Sequence, residues 1–251
     1  MSRDGDPGKP GRDAEIRRVD DLVARGFVDP ARAEAIARVV DRFALAITDD
    51  MAALIDPDDP ADPIARQFVP DESELDRRDD EVTDPIGDAV HAAAPGLVHR
   101  YRDRVLLQPT HLCRVYCRFC FRREAVGDGE ATLSEAEIDA ALAYVAARPE
   151  IFEVILTGGD PLVLSDARLK KILDGLAAVP HIERIRIGSR IPITLPMRIT
   201  PALVRLLQSY RIPGYREICI VTHAEHAYEI TPDFAAAVNR LRKSGIPVYN
   251  Q

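Results

Sequence analysis

Apolar positions change their spacing partway along the chain. From 29 to 47 they fall at Ile36, Val39, Val40, Phe43 and Ile47, a helical spacing, and Asp29–Pro30 supplies a cap and a first-turn proline ahead of it. Residues 56–85 hold Asp-Pro dipeptides and the run "DESELDRRDDEVTD", which predicts loop with short helices and a solvated charged face. After Arg100 the texture changes. Short apolar runs at 104–110 ("RVLLQPT"), 152–160 ("FEVILTGGD"), 182–189 ("IERIRIGS"), 216–223 ("REICIVTH") and 246–251 ("IPVYNQ") predict strands. Between them lie four helical patterns. "LSEAEIDAALAYVAARP" carries a capping box of Ser134 with Glu137, "DARLKKILDGLAAVP" follows, and "TPALVRLLQSY" and "TPDFAAAVNRLRKSG" each open with Thr-Pro.

Strands alternating with helices of this length make right-handed βαβ units and a parallel sheet. The fold class expected is α/β, a partial (β/α) barrel that stops after its fifth strand. In domain terms, 1–14 is a disordered tail, 15–99 a mainly helical extension, and 100–251 the partial barrel. Ligands of such sheets sit at the carboxyl ends of the strands. The residues expected there are Thr110 to Cys120, Gly158–Gly159–Asp160, Gly188–Ser189–Arg190, Thr222–His223 and Asn250–Gln251.

Composition narrows the setting. The chain has 251 residues, 46% hydrophobic and 29% charged, with a net charge of −8. That balance, without a basic block, tells against nucleic acid as a partner. No apolar run is long enough for a membrane span, and the polar start lacks the apolar core of a signal peptide. Four cysteines are too few for a disulfide scaffold, so a reducing, cytoplasmic location is expected.

Three of those four cysteines lie in one loop, "HLCRVYCRFCFRRE", as Cys113-x3-Cys117-x2-Cys120; the fourth is Cys219. Four readings of the loop are open. A structural zinc site would add His111 as its fourth ligand. A redox pair would use Cys117 and Cys120 and leave Cys113 idle. Buried structural cysteines are the bland reading, against which the polar, arginine-rich loop tells. The fourth is a four-iron cluster on three thiolates with one iron open. Arg114, Arg118, Arg122 and Arg123 suit it, because such a cluster carries net negative charge. "THAEHAYE", with His223, Glu225, His226 and Glu229, suggests metal ligands on its own, or a polar layer around the site.

The CxxxCxxC spacing after a first strand resembles the radical S-adenosylmethionine (SAM) superfamily. "HRYRDRVLL", "CRVYCRFCFRR", "LTGGDPL", "PHIERIRIGSRIPITLPMRIT", "THAEHAYEIT" and "YNQ" together resemble the lysine 2,3-aminomutase family, especially its branch that makes β-lysine for elongation factor P. The likeness runs from about Pro60 to Gln251. It implies that Cys113, Cys117 and Cys120 hold a [4Fe–4S] cluster, and that Gly158, Gly159, Asp160, Ser189, Arg190 and Gln251 bind SAM. It implies pyridoxal 5′-phosphate as second cofactor, with Arg100, Tyr101 and Arg104 approaching its phosphate and Arg122 pairing with the substrate carboxylate. The implied reaction converts L-lysine to β-lysine by amino migration started by a 5′-deoxyadenosyl radical. Glutamate is an alternative substrate. The implied partners are a small amino acid, an electron donor such as flavodoxin or ferredoxin, and a second copy of the chain.

The likeness breaks in two places. Glu225 stands where the family carries asparagine. The family's pyridoxal lysine and the acidic residues that select lysine come after the fifth strand, beyond Gln251, and Lys9, Lys170, Lys171 and Lys243 do not match it. The expectation is therefore a truncated copy with its pyridoxal site weakened and the fifth strand, "IPVYNQ", left as an unpaired edge. The alternative is a remnant that binds cluster and SAM, or zinc, without turnover.

Overall fold

The computed structural model describes residues 15–76, 79–127 and 132–251. The expected tail at 1–14 lies outside them. The first part of the described chain is short: β1 (Glu15–Ile16), α1 (Val19–Ala24), α2 (Ala33–Arg42), β2 (Ile47–Thr48), α3 (Asp49–Ala52) and α4 (Ala65–Phe68). Asp29 does cap, its Oδ1 accepting from the Ala31 amide, but the helix it introduces ends at Arg42. Phe43 is already extended and Ile47 lies in β2, paired antiparallel with Ile16. The helical spacing of those two residues is coincidental: Ile47 joins an apolar cluster with Leu22, Ile36, Met51 and Phe68, and Phe43 is buried beneath the guanidinium groups of Arg42 and Arg123.

The second part begins earlier than Arg100. β3 (Ala92–Ala94) and β4 (Leu97–Tyr101) add two antiparallel strands to the sheet, within the stretch expected to be helical. Then follow β5 (Arg104–Thr110), α5 (Glu135–Ala146), β6 (Glu153–Gly158), α6 (Asp166–Ala177), β7 (Arg184–Gly188), α7 (Ile191–Thr194), α8 (Pro201–Ser209), β8 (Glu217–Thr222), α9 (Pro232–Lys243) and β9 (Val248–Asn250). The sheet order is β3-β4-β5-β6-β7-β8-β9, parallel from β5 onward and not closed into a barrel. The expected caps form: Ser134 with Glu137, Thr200 on Leu203 and Thr231 on Phe234.

The pleat sends alternate side chains to opposite faces. On one face Val105, Leu107, Val154, Leu156, Ile185, Ile187, Ile218 and Ile220 meet α5, α6, α8 and α9, and none exposes more than 1% of its surface. Among the described residues, the opposite face takes no part in this helix-packed core. The register lines up Arg104, Glu153, Arg184 and Glu217 in one row across it, and Leu106, Ile155, Arg186 and Cys219 in the next. Glu153 is fully buried among three arginines, with Arg186 at 2.6 Å, Arg104 at 3.7 Å and Arg184 at 3.9 Å. No helix of the described residues is long and apolar enough to cross a membrane.

Candidate functional site

The polar loops gather at the carboxyl ends of the parallel strands, where the topology directs a ligand. The cysteine loop leaves β5 and is stitched to its neighbour: Gly159 donates its amide to Thr110 O (2.8 Å) and Asp160 to Leu112 O (2.9 Å). Here the two glycines are obligatory. A Cβ on Gly159 would stand 2.4 Å from Leu112 O, and one on Gly158, at φ +104°, 2.7 Å from Thr110 O. Their bareness lets the β6 turn seat the cysteine loop, a close backbone approach that no side chain permits.

The loop is anchored on its other side by the N-terminal segment. The Tyr116 amide donates to Ala46 O (3.0 Å) and the Arg118 amide to Gln67 O (2.7 Å). The Arg118 guanidinium holds Glu74 at 2.6 Å and Ala44 O at 3.0 Å, and Arg114 pairs with Glu15. Two of the four loop arginines thus build the loop through carboxylates. Arg123 lies 3.7 Å from the same Glu74, and Arg122 holds Asp88 at 2.8 Å. Asp88 also accepts from Gln108 Nε2 (3.2 Å).

Cys113, Cys117 and Cys120 are free and partly exposed, while Cys219 is buried on the open sheet face. Burial pushes all three loop thiols above their ordinary range, Cys113 most strongly, so they are protonated at neutral pH until a metal displaces the proton. Positive charge is already in place for the thiolates: Arg190 Nη1 donates to Cys117 Sγ at 2.9 Å. The same guanidinium donates to Gln67 Oε1 (2.8 Å) and Glu229 Oε1 (2.5 Å), between the rings of Phe68 and Phe119. Arg190 Nε and Gln67 Nε2 are buried donors without a partner among the described residues. Soft thiols, a cation on one sulfur and orphaned donors beside them fit a negatively charged iron–sulfur cluster with an anionic ligand. Among the described residues no three His, Cys, Asp or Glu side chains form a ready metal-ion site. His111 Nδ1 lies 3.1 Å from Ala125 O, and His223 pairs with Glu225.

Asp160 is fully enclosed. Its carboxylate accepts from the amides of Leu162 (3.0 Å), Arg190 (2.8 Å) and Ile191 (3.2 Å), so it ties the β6 turn to the β7 turn and does not face an open cavity. Burial raises its pKa. Ser189 Oγ accepts from Ile191, and the Gln251 amide donates to Thr222 O (3.0 Å). Arg100, Tyr101 and Arg104 are not brought to this edge. They form the β4–β5 turn at the amino end of β5, about 20 Å along the strand from Thr110. Arg104 pairs with Asp103 at 2.9 Å, lies over the Tyr101 ring at 5.8 Å, and shares the open face.

Sequence reasoning missed Gln67, Glu74 and Asp88. They reach the loop from 34 to 51 residues away along the chain, and no local pattern marks them. Glu229 was legible only as one member of a polar segment.

A family model of the radical SAM superfamily matches residues 107–250. The chain is 39% identical over 236 residues to an L-lysine 2,3-aminomutase of Acetoanaerobium sticklandii, covering 94% of this chain and 56% of that protein. An L-lysine 2,3-aminomutase of Escherichia coli is 38% identical over 83% of this chain and 59% of its own length. A glutamate 2,3-aminomutase of Clostridioides difficile is 36% identical over 87% and 50%. The chain spans about half the length of the curated relatives it matches.

Proposed function

The chain belongs to the radical SAM superfamily, and on that premise we propose that it carries the cluster- and SAM-binding part of a 2,3-aminomutase acting on a free amino acid, L-lysine first and glutamate as the alternative. The observation that carries this is the meeting, at one sheet edge, of the three-cysteine loop, the Gly158–Asp160 turn and the Arg190 guanidinium on Cys117 sulfur. When bound, the [4Fe–4S] cluster with SAM supplies an alkyl radical, and pyridoxal phosphate carries the migrating nitrogen.

Cys113, Cys117 and Cys120 would hold the cluster and leave one iron without a protein ligand. The turn at Gly158, Gly159 and Asp160, with Ser189, Arg190 and Gln251, would border SAM, and the unpartnered Arg190 Nε–H offers its carboxylate a donor. Arg122, held in place by Asp88, would turn its fork to the substrate carboxylate. Arg104 on the open face, with Arg100 and Tyr101 beside it, would take the pyridoxal phosphate. No lysine that the structure describes stands ready for the pyridoxal carbonyl. Lys170 pairs with Asp174 and Lys171 with Glu135 on the helix side of the sheet, and Lys243 ends α9. The work of this stretch is therefore cluster and SAM chemistry, with service to elongation factor P, a cytoplasmic location, a flavodoxin- or ferredoxin-like donor and self-association as further parts of the proposal.

The test is anaerobic reconstitution with iron and sulfide. A brown protein whose reduced EPR signal changes on adding SAM supports the proposal. A colourless protein holding one tight zinc overturns it in favour of a regulatory metal protein.

A further inference from the structure

We propose that the carboxylate of Glu229 sets the electron affinity of a cluster on Cys117, by offsetting the charge that Arg190 presents to that sulfur. This rests on the cluster reading above and goes one layer behind it. Glu229 belongs to the polar segment after β8, for which the proposed reaction has no step. Its side chain is wholly buried, and each oxygen is occupied. Oε1 accepts from Arg190 Nη2 at 2.5 Å, and Oε2 accepts the amides of Glu225 (2.6 Å) and His226 (2.9 Å). Three donors thus hold the carboxylate one guanidinium away from Cys117.

A buried ion pair is poor as a device for stability, because desolvation of both charges offsets their attraction. It is effective as a charge adjuster. The potential of an iron–sulfur cluster follows its net charge and the hydrogen bonds to its sulfurs. A cation 2.9 Å from Cys117 Sγ favours the reduced, more negative cluster, and a carboxylate on that cation's far side opposes it.

Gln67 supplies a control on the same guanidinium. Its Oε1 accepts from Arg190 Nη2 at 2.8 Å, while its buried Nε2 has no partner. Gln67→Glu therefore exchanges an orphaned donor for an oxygen and adds a negative charge without removing a hydrogen bond. Glu229→Gln keeps an acceptor for Arg190 and removes a charge. The two substitutions push the potential in opposite directions, which a merely structural disturbance does not do.

The experiment loads the full chain and both variants anaerobically with iron and sulfide, then poises them with dithionite and mediators without SAM. EPR reads the one-electron midpoint. Expected is Glu229→Gln above wild type and Gln67→Glu below it. Each changes the oxidised-to-reduced ratio at fixed potential about tenfold, or about 59 mV for one electron. Equal midpoints, or shifts of the same sign, overturn the assignment and leave the cluster reading standing. If Glu229→Gln fails to load, Gln67→Glu decides alone, and a midpoint no lower than wild type overturns it. A wild-type chain that takes up no cluster overturns the cluster reading and this assignment together.

Discussion

The two faces of the seven-stranded sheet are made from the same strands and do opposite work. Along β6, Val154 and Leu156 point into the helix layer and are sealed, whereas Glu153 and Ile155 point to the opposite face. On the helix side every row is aliphatic, and its residues pack against the apolar faces of α5, α6, α8 and α9. On the other side the row from Arg104 to Glu217 alternates sign, and the next row carries Arg186 and Cys219. A strand buried by helices on both faces reads as a continuous apolar run. Here β7 alternates arginine and isoleucine from Arg184 to Ile187, and β5, β6 and β8 each begin with a charged residue on the same face, which marks a sheet that keeps one face for something other than its own core.

Substitutions break that contrast in a definite order. Cys117→Ala is the largest: iron uptake, counted per chain after reconstitution, falls to none, while the far-UV circular dichroism is unchanged because Cys117 lies in a loop outside every helix and strand and only borders the N-terminal apolar cluster. Next is Leu156→Ala on the sealed face, which costs about 2–5 kcal/mol in urea unfolding, whereas Ile155→Ala one residue away costs clearly less. Gly159→Ala comes third. A Cβ 2.4 Å from Leu112 O forces the cysteine loop off the β6 turn, with about 1–3 kcal/mol lost and iron uptake reduced. Smallest is Cys219→Ala, which leaves iron uptake at the wild-type value. A loss there would mean that the ligands do not all lie in the loop, and would erase the distinction between a polar sheet face and a metal-binding edge.

What the chain reveals in advance follows the same division. Local patterns were legible because local physics decides them: the Ser134–Glu137 capping box, the Thr-Pro helix starts and the five parallel strands stand within a residue or two of where spacing placed them. The cysteine loop was legible because three thiols in eight residues have few uses. β3 and β4 were not, since three to five residues beside Gly96 carry too short an alternation to register. Phe43 and Ile47 kept helical spacing, but after the helix has ended Ile47 serves the cluster around Phe68 and Phe43 lies under Arg42 and Arg123. The residues that aim Arg190 were beyond reach for a different reason. Gln67 and Glu229 meet it only because the N-terminal segment and the turn after β8 both fold over the same sheet edge. The structure also adds contacts to residues that were foreseen. Asp160 ties two turns together, and Arg118, a cation close enough to act on the Cys120 thiol, holds Glu74.

The most direct test of the account is the Mössbauer spectrum of the chain reconstituted anaerobically with iron-57 and sulfide, recorded before and after SAM is added. Three cysteines on one loop predict a four-iron cluster with one iron lacking a protein ligand, and that single site alone changes its isomer shift when SAM binds. A chain that holds no iron, or four irons whose spectrum is indifferent to SAM, would contradict it.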